Sequence, residues 1–92
     1  MHVLLCEDDD LIASGICAGL TAQGFTVDRV GNASQARQML QAAQFDVMIL
    51  DLGLPDEDGL KLLRRLRQQG EALPVLVLTA RDAVSDRGDG LQ

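Results

Sequence analysis

The sequence predicts an α/β fold, an open doubly wound parallel sheet of four strands with helices on both faces. Three observations carry that prediction. The runs VLLC, VMIL and VLVL are continuously apolar, as strands buried on both faces require. Segments with apolar residues at helical spacing lie between the strands. Parallel strands joined by right-handed crossovers wind such a chain into an open sheet.

The first strand is expected over Val3 to Glu7. From Asp9 or Asp10 the period changes: Ile12, Ala13, Ile16, Leu20 and Gln23 fit a helix opened by an Asp cap and closed by Gly24. Phe25 to Val30 is a second strand, with Phe25 and Val27 alternating against Thr26 and Asp28. Asn32 with Gln35 resembles a capping box, and Ala36, Met39, Leu40 and Ala43 follow at helical spacing. Phe45 to Asp51 is the third strand, and LGLPDEDG after it is a loop rich in turn formers. Leu60, Leu62, Leu63 and Leu66 give the third helix its apolar face, with Lys61, Arg64, Arg65 and Arg67 on the solvated remainder and Gly70 as the stop. Pro74 opens a fourth strand, VLVLT, and ARDAVSDRGDGLQ reads as the first turns of a fourth helix.

The 92 residues suffice for one domain. Phe25 and Phe45 are the only aromatic residues, so the core must be aliphatic. Fourteen acids against eight Lys and Arg leave a formal charge of −6. Direct nucleic-acid binding needs a basic footprint and, for single strands, stacking aromatics, and the chain has neither. Its apolar runs fall well short of the ~18 residues of a membrane span, and no signal peptide is visible, so a cytoplasmic location is expected. Cys6 and Cys17 stand outside any metal-type spacing and read as small buried hydrophobes. His2 reads as a surface residue at the start of the first strand.

The run EDDD, Glu7 to Asp10, is an unusual end for a buried strand. Two like charges ~4 Å apart repel by about 4 kcal/mol at an effective dielectric near 20. A solvated helix start, a bound cation, or a group that takes up protons or phosphate could each justify it. Ligands of such sheets bind beyond the carboxyl ends of the strands, where the strand order reverses. With the flavodoxin-like order 2-1-3-4, Glu7 and Asp8 after the first strand and Asp51 after the third converge there, with Thr79 after the fourth. Without a cation one carboxylate should hold a proton. With one, the group becomes an oxygen cage of the kind Mg²⁺ prefers. Glu7 and Asp8 are assigned to the metal, Asp9 and Asp10 to capping the first helix. Asp56, Glu57 and Asp58 read as caps or solvated positions.

The segments VLLCEDDDLI, MILDLGLPDEDGL and PVLVLTARDAVSDR together resemble the receiver domain of two-component response regulators, over all 92 residues. TARD followed by DR is similar to the subfamily joined to a winged-helix DNA-binding domain. The resemblance implies that Asp51 is the phosphoacceptor for a phosphohistidine on a sensor histidine kinase. It implies that Asp8 ligates Mg²⁺ directly, Glu7 through water and Gly53 through its backbone carbonyl. Thr79 matches the hydroxyl residue that bonds a phosphoryl oxygen, Ala80 the small residue beside it, and Pro55 and Gly59 the loop that shapes the pocket. Such receivers continue through a fifth strand, with a phosphate-pairing Lys and a switch aromatic, and a fifth helix. The only Lys here, Lys61, is in the third helix. The expectation is therefore a single receiver domain over 1–92, incomplete at its C-terminus and without its output domain. Its fourth strand would be a bare edge open to homodimerisation or strand swapping. Asp86 and Arg87 fall where the subfamily builds its dimer face.

Phosphoryl transfer to a carboxylate agrees with the residues, since it asks for an in-line nucleophile, a cation and little else. The domain is expected to be a regulatory phosphoacceptor with weak self-phosphorylation and autodephosphorylation, not an enzyme in the usual sense. One rival is a haloacid dehalogenase-type phosphatase, suggested by the D-x-D of Asp8 and Asp10. The other is a docking module with an inactive site.

Overall fold

In a computed structural model, which describes residues 1–78, four parallel strands form one sheet in the order β2-β1-β3-β4. Strands and helices alternate as β1 (His2–Cys6), α1 (Asp10–Ala22), β2 (Thr26–Val30), α2 (Ala33–Ala42), β3 (Val47–Asp51), α3 (Gly59–Gln68) and β4 (Val75–Leu78). Both the expected strand order and the parallel pairing are present. The expected fourth helix, Thr79, Ala80, Asp86 and Arg87 lie outside the described residues.

Alternation along the strands sends side chains to two faces, each with its own core. Leu4, Cys6, Met48 and Leu50 point to the side covered by α2 and α3, where they meet Ala33, Ala36, Leu62 and Leu66. Val3, Leu5 and Ile49 point to the other side and pack on Ala13, Ile16, Cys17 and Leu20 of α1. The core is aliphatic, as the composition requires.

Helix ends follow from local chemistry. Asp9 caps α1 by accepting from the Ile12 N–H at 3.0 Å, and Asn32 caps α2 by accepting from Gln35 at 2.8 Å. Gln35 Oε1 turns back to accept from the Gly31 N–H at 3.0 Å, one residue earlier than a strict capping box would have it. Gly24 and Gly70 take φ of 93° and 88°, which glycine adopts without strain. Each closes its helix with paired bonds, Gly24 to Thr21 and Phe25 to Leu20 after α1, Gly70 to Arg67 and Glu71 to Leu66 after α3.

Three expectations change. Leu60 is 42% exposed, and the core stripe of α3 runs through Gly59, Leu62 and Leu66, because the i, i+3, i+7 row faces the sheet. Ile12 is likewise turned outward at 43% exposure. His2 does begin β1, but as a tie across the sheet's lower edge: its Nε2 lies 2.7 Å from Asp28 Oδ2 and its ring 4.2 Å from that of Phe45. Asp46 accepts from the His2 N–H and donates to its carbonyl, and regular β3 pairing begins one residue later, at Val47.

Candidate functional site

Cys6 of β1 pairs with Leu50 of β3, so the next residue on each strand, Glu7 and Asp51, reaches the same carboxyl-end rim. The Glu7 N–H donates to Val30 at 3.1 Å, carrying the β1–β2 ladder one residue past the strand. Its carboxylate then turns back to accept from the Asp9 N–H at 2.9 Å. Glu7 and Asp51 are buried, while Asp8 stands at the solvent boundary. One oxygen from each of Glu7, Asp8 and Asp51 falls within 4.8 Å of the other two. The carboxylates that sequence reasoning assigned to one space share it.

That proximity is costly for anions. Burial, then the charge of Asp51, and then the bond to and charge of Asp8 push the Glu7 carboxyl above its ordinary range, against the lowering effect of the Asp9 amide. Beneath the rim, the Cys6 thiol is pushed up to about 12, first by burial and then by Asp56, Asp51, Glu7 and Asp8. It is a neutral side chain whose sulfur contacts the Asn32 carbonyl at 3.6 Å, and both cysteines are free thiols.

The segment after Asp51 is pinned on three sides. The Gly59 N–H donates to Leu52 at 3.0 Å, and a Cβ at Gly59 would lie 2.7 Å from the Asp51 carbonyl oxygen. Asp56 reaches across to α2 and accepts from the Ala33 and Ser34 N–H groups at 2.8 and 3.0 Å, so it caps a helix other than the one it precedes. Those amides, Ala33 foremost, hold its carboxyl below the usual range. Asp58 accepts from the Leu60 N–H at 3.1 Å as the cap of α3. Glu57, expected as a cap or solvated acid, is instead an ionic node, 2.6 Å from Arg37 of α2 and 2.8 Å from Arg65 of α3. Gly53 and Pro55 lie exposed in this loop.

Asp10 points away from the cluster to Arg29, 3.0 Å distant, so it does not join Asp8 as a D-x-D pair would require. Arg29 is the residue that sequence reasoning missed. Its guanidinium also donates twice to the Glu7 carbonyl, at 3.0 and 2.8 Å. The signal was available: a cation near the end of β2 must neighbour the acid run once β2 is placed beside β1.

The donor set fits magnesium. Three hard carboxylate oxygens, without nitrogen or sulfur among them, suit a cation bound at about 2.0–2.1 Å that keeps several of its waters. Octahedral bonds of that length set ligand oxygens roughly 3–4 Å apart. The 4.8 Å within which the three oxygens lie is close to that range.

The model of the family described as "Response regulator receiver domain" matches residues 3–92. Among curated relatives, the response regulator protein PmrA of Pseudomonas aeruginosa is 50% identical over 91 residues, 99% of this chain and 41% of that protein. The transcriptional regulatory protein BasR of Escherichia coli is 46% identical over 91 residues, again 99% of this chain and 41% of its own length. The chain thus spans about two fifths of these relatives (41%). Among solved structures, a receiver domain of the Francisella response regulator 1452 superposes with a TM-score of 0.84 at 29% identity, covering 97% of this chain and 74% of that one. The receiver domain of the response regulator TorR gives 0.79 at 30% identity, covering 94% and 71%. Among the described residues, no helix is long and apolar enough to cross a membrane.

Proposed function

The chain belongs to the response regulator receiver domain family, and from that premise we propose that it accepts a phosphoryl group on Asp51 in a Mg²⁺-dependent reaction. The observation that carries this reading is the meeting of Glu7, Asp8 and Asp51 within 4.8 Å at the carboxyl end of the sheet. The donor is a phosphohistidine on a sensor histidine kinase. The switch drives a transcriptional output domain of the winged-helix type, in keeping with relatives named as transcriptional regulatory proteins.

Asp51 is the nucleophile: a carboxylate oxygen forms the bond to phosphorus as the bond from phosphorus to the donor nitrogen breaks. Bound Mg²⁺ would supply charge neutralisation for the oxygens of the transferring group. Asp8 and Glu7 would hold it by their carboxylates, Glu7 through water, and Gly53 by its backbone carbonyl. The tethers of Asp56 and Glu57 to α2 and α3 hold the loop that follows the nucleophile in place. Thr79 would donate its hydroxyl to a phosphoryl oxygen, with Ala80 leaving room beside it; both assignments rest on the family motif. Chemistry of this kind is regulatory, with slow self-phosphorylation and hydrolysis. A single receiver unit over 1–92, in the cytoplasm, completes the reading. Homodimerisation or strand exchange along the β4 edge is a further part of the proposal.

Incubation with a small phosphodonor and Mg²⁺, followed by mass spectrometry, tests the assignment. A single phosphoryl group should map to Asp51 and vanish in Asp51→Asn. Label on another residue, or uptake that survives the substitution, refutes it.

A further inference from the structure

We propose that Arg29 is a positioning residue for the cation site, its guanidinium holding the β1–α1 turn so that Asp8 is presented to Glu7 and Asp51 before a metal arrives. The inference rests on the reading of that cluster as a Mg²⁺ site. Arg29 Nε and Nη2 both donate to the Glu7 carbonyl, at 3.0 and 2.8 Å, and Nη1 lies 3.0 Å from Asp10 Oδ1. One planar side chain therefore grips the acid run at its first and last members.

The geometry gives that grip a consequence for Asp8. The Glu7 carbonyl and the Asp8 nitrogen belong to one rigid peptide plane. The other side of Glu7 is fixed by its N–H bond to Val30, the neighbour of Arg29 on β2. With both flanking planes of Glu7 tied to the end of β2, the direction in which the chain leaves β1 toward Asp8 is set. A fork of fixed donors suits this task, whereas a lysine ammonium offers the same charge on a flexible stem.

Charge and positioning make opposite predictions, which allows a decisive test. A guanidinium held on the acid run by the Glu7 carbonyl and Asp10 adds positive charge near the cation site, so by charge alone its removal should tighten metal binding. If Arg29 acts by positioning, its removal should weaken binding, by about tenfold as for other groups that orient metal ligands.

The experiment titrates the ¹⁵N-labelled chain with MgCl₂ at constant ionic strength and follows the amide shifts of Asp8, Asp51 and Gly53, comparing the unmodified chain with Arg29→Met and Arg29→Lys. We expect about tenfold weaker binding for Arg29→Met, and incomplete recovery in Arg29→Lys, which restores charge without the fork. Binding in Arg29→Met that equals or exceeds that of the unmodified chain overturns the inference, as does full recovery in Arg29→Lys. Should Arg29→Met not fold, Arg29→Lys and the Arg29 Nε–H of the unmodified chain decide. That proton should exchange slowly because it is held by a carbonyl, and rapid exchange overturns the proposal. An unmodified chain that shows no Mg²⁺ response overturns the metal site itself and this inference with it. A normal response there with an unchanged variant removes only the role of Arg29.

Discussion

The missing side chain of Gly59 decides how closely α3 can approach the end of β3, where Asp51 stands. A Cβ there would sit 2.7 Å from the Asp51 carbonyl oxygen and 2.8 Å from Leu52 Cα. Both are backbone atoms of the segment that carries the site, so neither can swing aside. Gly59→Ala should therefore lose about 1–3 kcal/mol of stability, the usual range for overpacking, and weaken Mg²⁺ binding as the Asp51 backbone is displaced. Urea denaturation and the same amide titration would measure the two effects, and a variant indistinguishable from the parent in both would contradict this account. Gly59 was legible in the sequence as a member of the family's loop, but its reason was not, because a close approach between β3 and α3 exists only after folding. Glu57 shows the same limit. Nothing local distinguishes it from Asp56 or Asp58, and its role comes from two arginines, on α2 and α3, that the fold brings to it.

At the scale of elements, helix ends were the most readable feature. Asp9, Asn32, Gly24 and Gly70 act through residues three to five positions away, so their chemistry is contained in short windows of sequence. The second cap on α2 is different in kind. Asp56 comes from the β3–α3 loop and satisfies two further N–H groups at the start of α2, a contact across 22 or 23 residues that no window contains. Its carboxyl is held below the usual range, principally by the Ala33 amide. A depressed folded-state pKa contributes stability that is fully present above the unfolded value of about 3.9 and is lost as pH falls through the folded value. Asp56→Asn should thus be less stable than the parent at neutral pH, by an amount constant above about pH 5 and shrinking as pH falls below about 4. Urea midpoints of the two proteins across pH 3–7 would show this convergence. Parallel curves over the whole range would mean that the cap is not ionic. The strand starts were read less well, as with Phe45, because apolar continuity marks where a chain is buried rather than where its ladder bonds begin.

For the whole molecule, the strand order and the meeting place of the three carboxylates were readable because they share one cause. Continuous apolar strands require parallel pairing with both faces covered, and the reversal of strand order leaves a crevice beyond the carboxyl ends of β1 and β3. Less visible was what holds an anionic cluster there: Arg29 opposite the acid run, and a loop moored by Asp56 and Glu57. These contacts stabilise a rim that the three carboxylates themselves destabilise. Glu7, Asp8 and Asp51 repel one another within 4.8 Å, and two of them are buried. At an effective dielectric near 20 a pair at that distance costs about 3.5 kcal/mol, and the solvent around Asp8 reduces its share to roughly 1 kcal/mol. The metal-free fold should consequently gain stability when one of these charges is removed, while a ligand that binds only the folded state adds RT ln(1 + [L]/Kd). Thermal unfolding of the parent and Asp8→Asn, each in EDTA and in excess MgCl₂, separates the two terms. In EDTA the variant should melt a few degrees higher, as about 1 kcal/mol gives in a domain of this size. With MgCl₂ the parent should rise and the variant should not, so the order of the two reverses if the ion binds tightly enough. A variant that melts lower in EDTA would show that Asp8 is held by favourable contacts outweighing the repulsion, and the strained-cluster picture would fail at its centre.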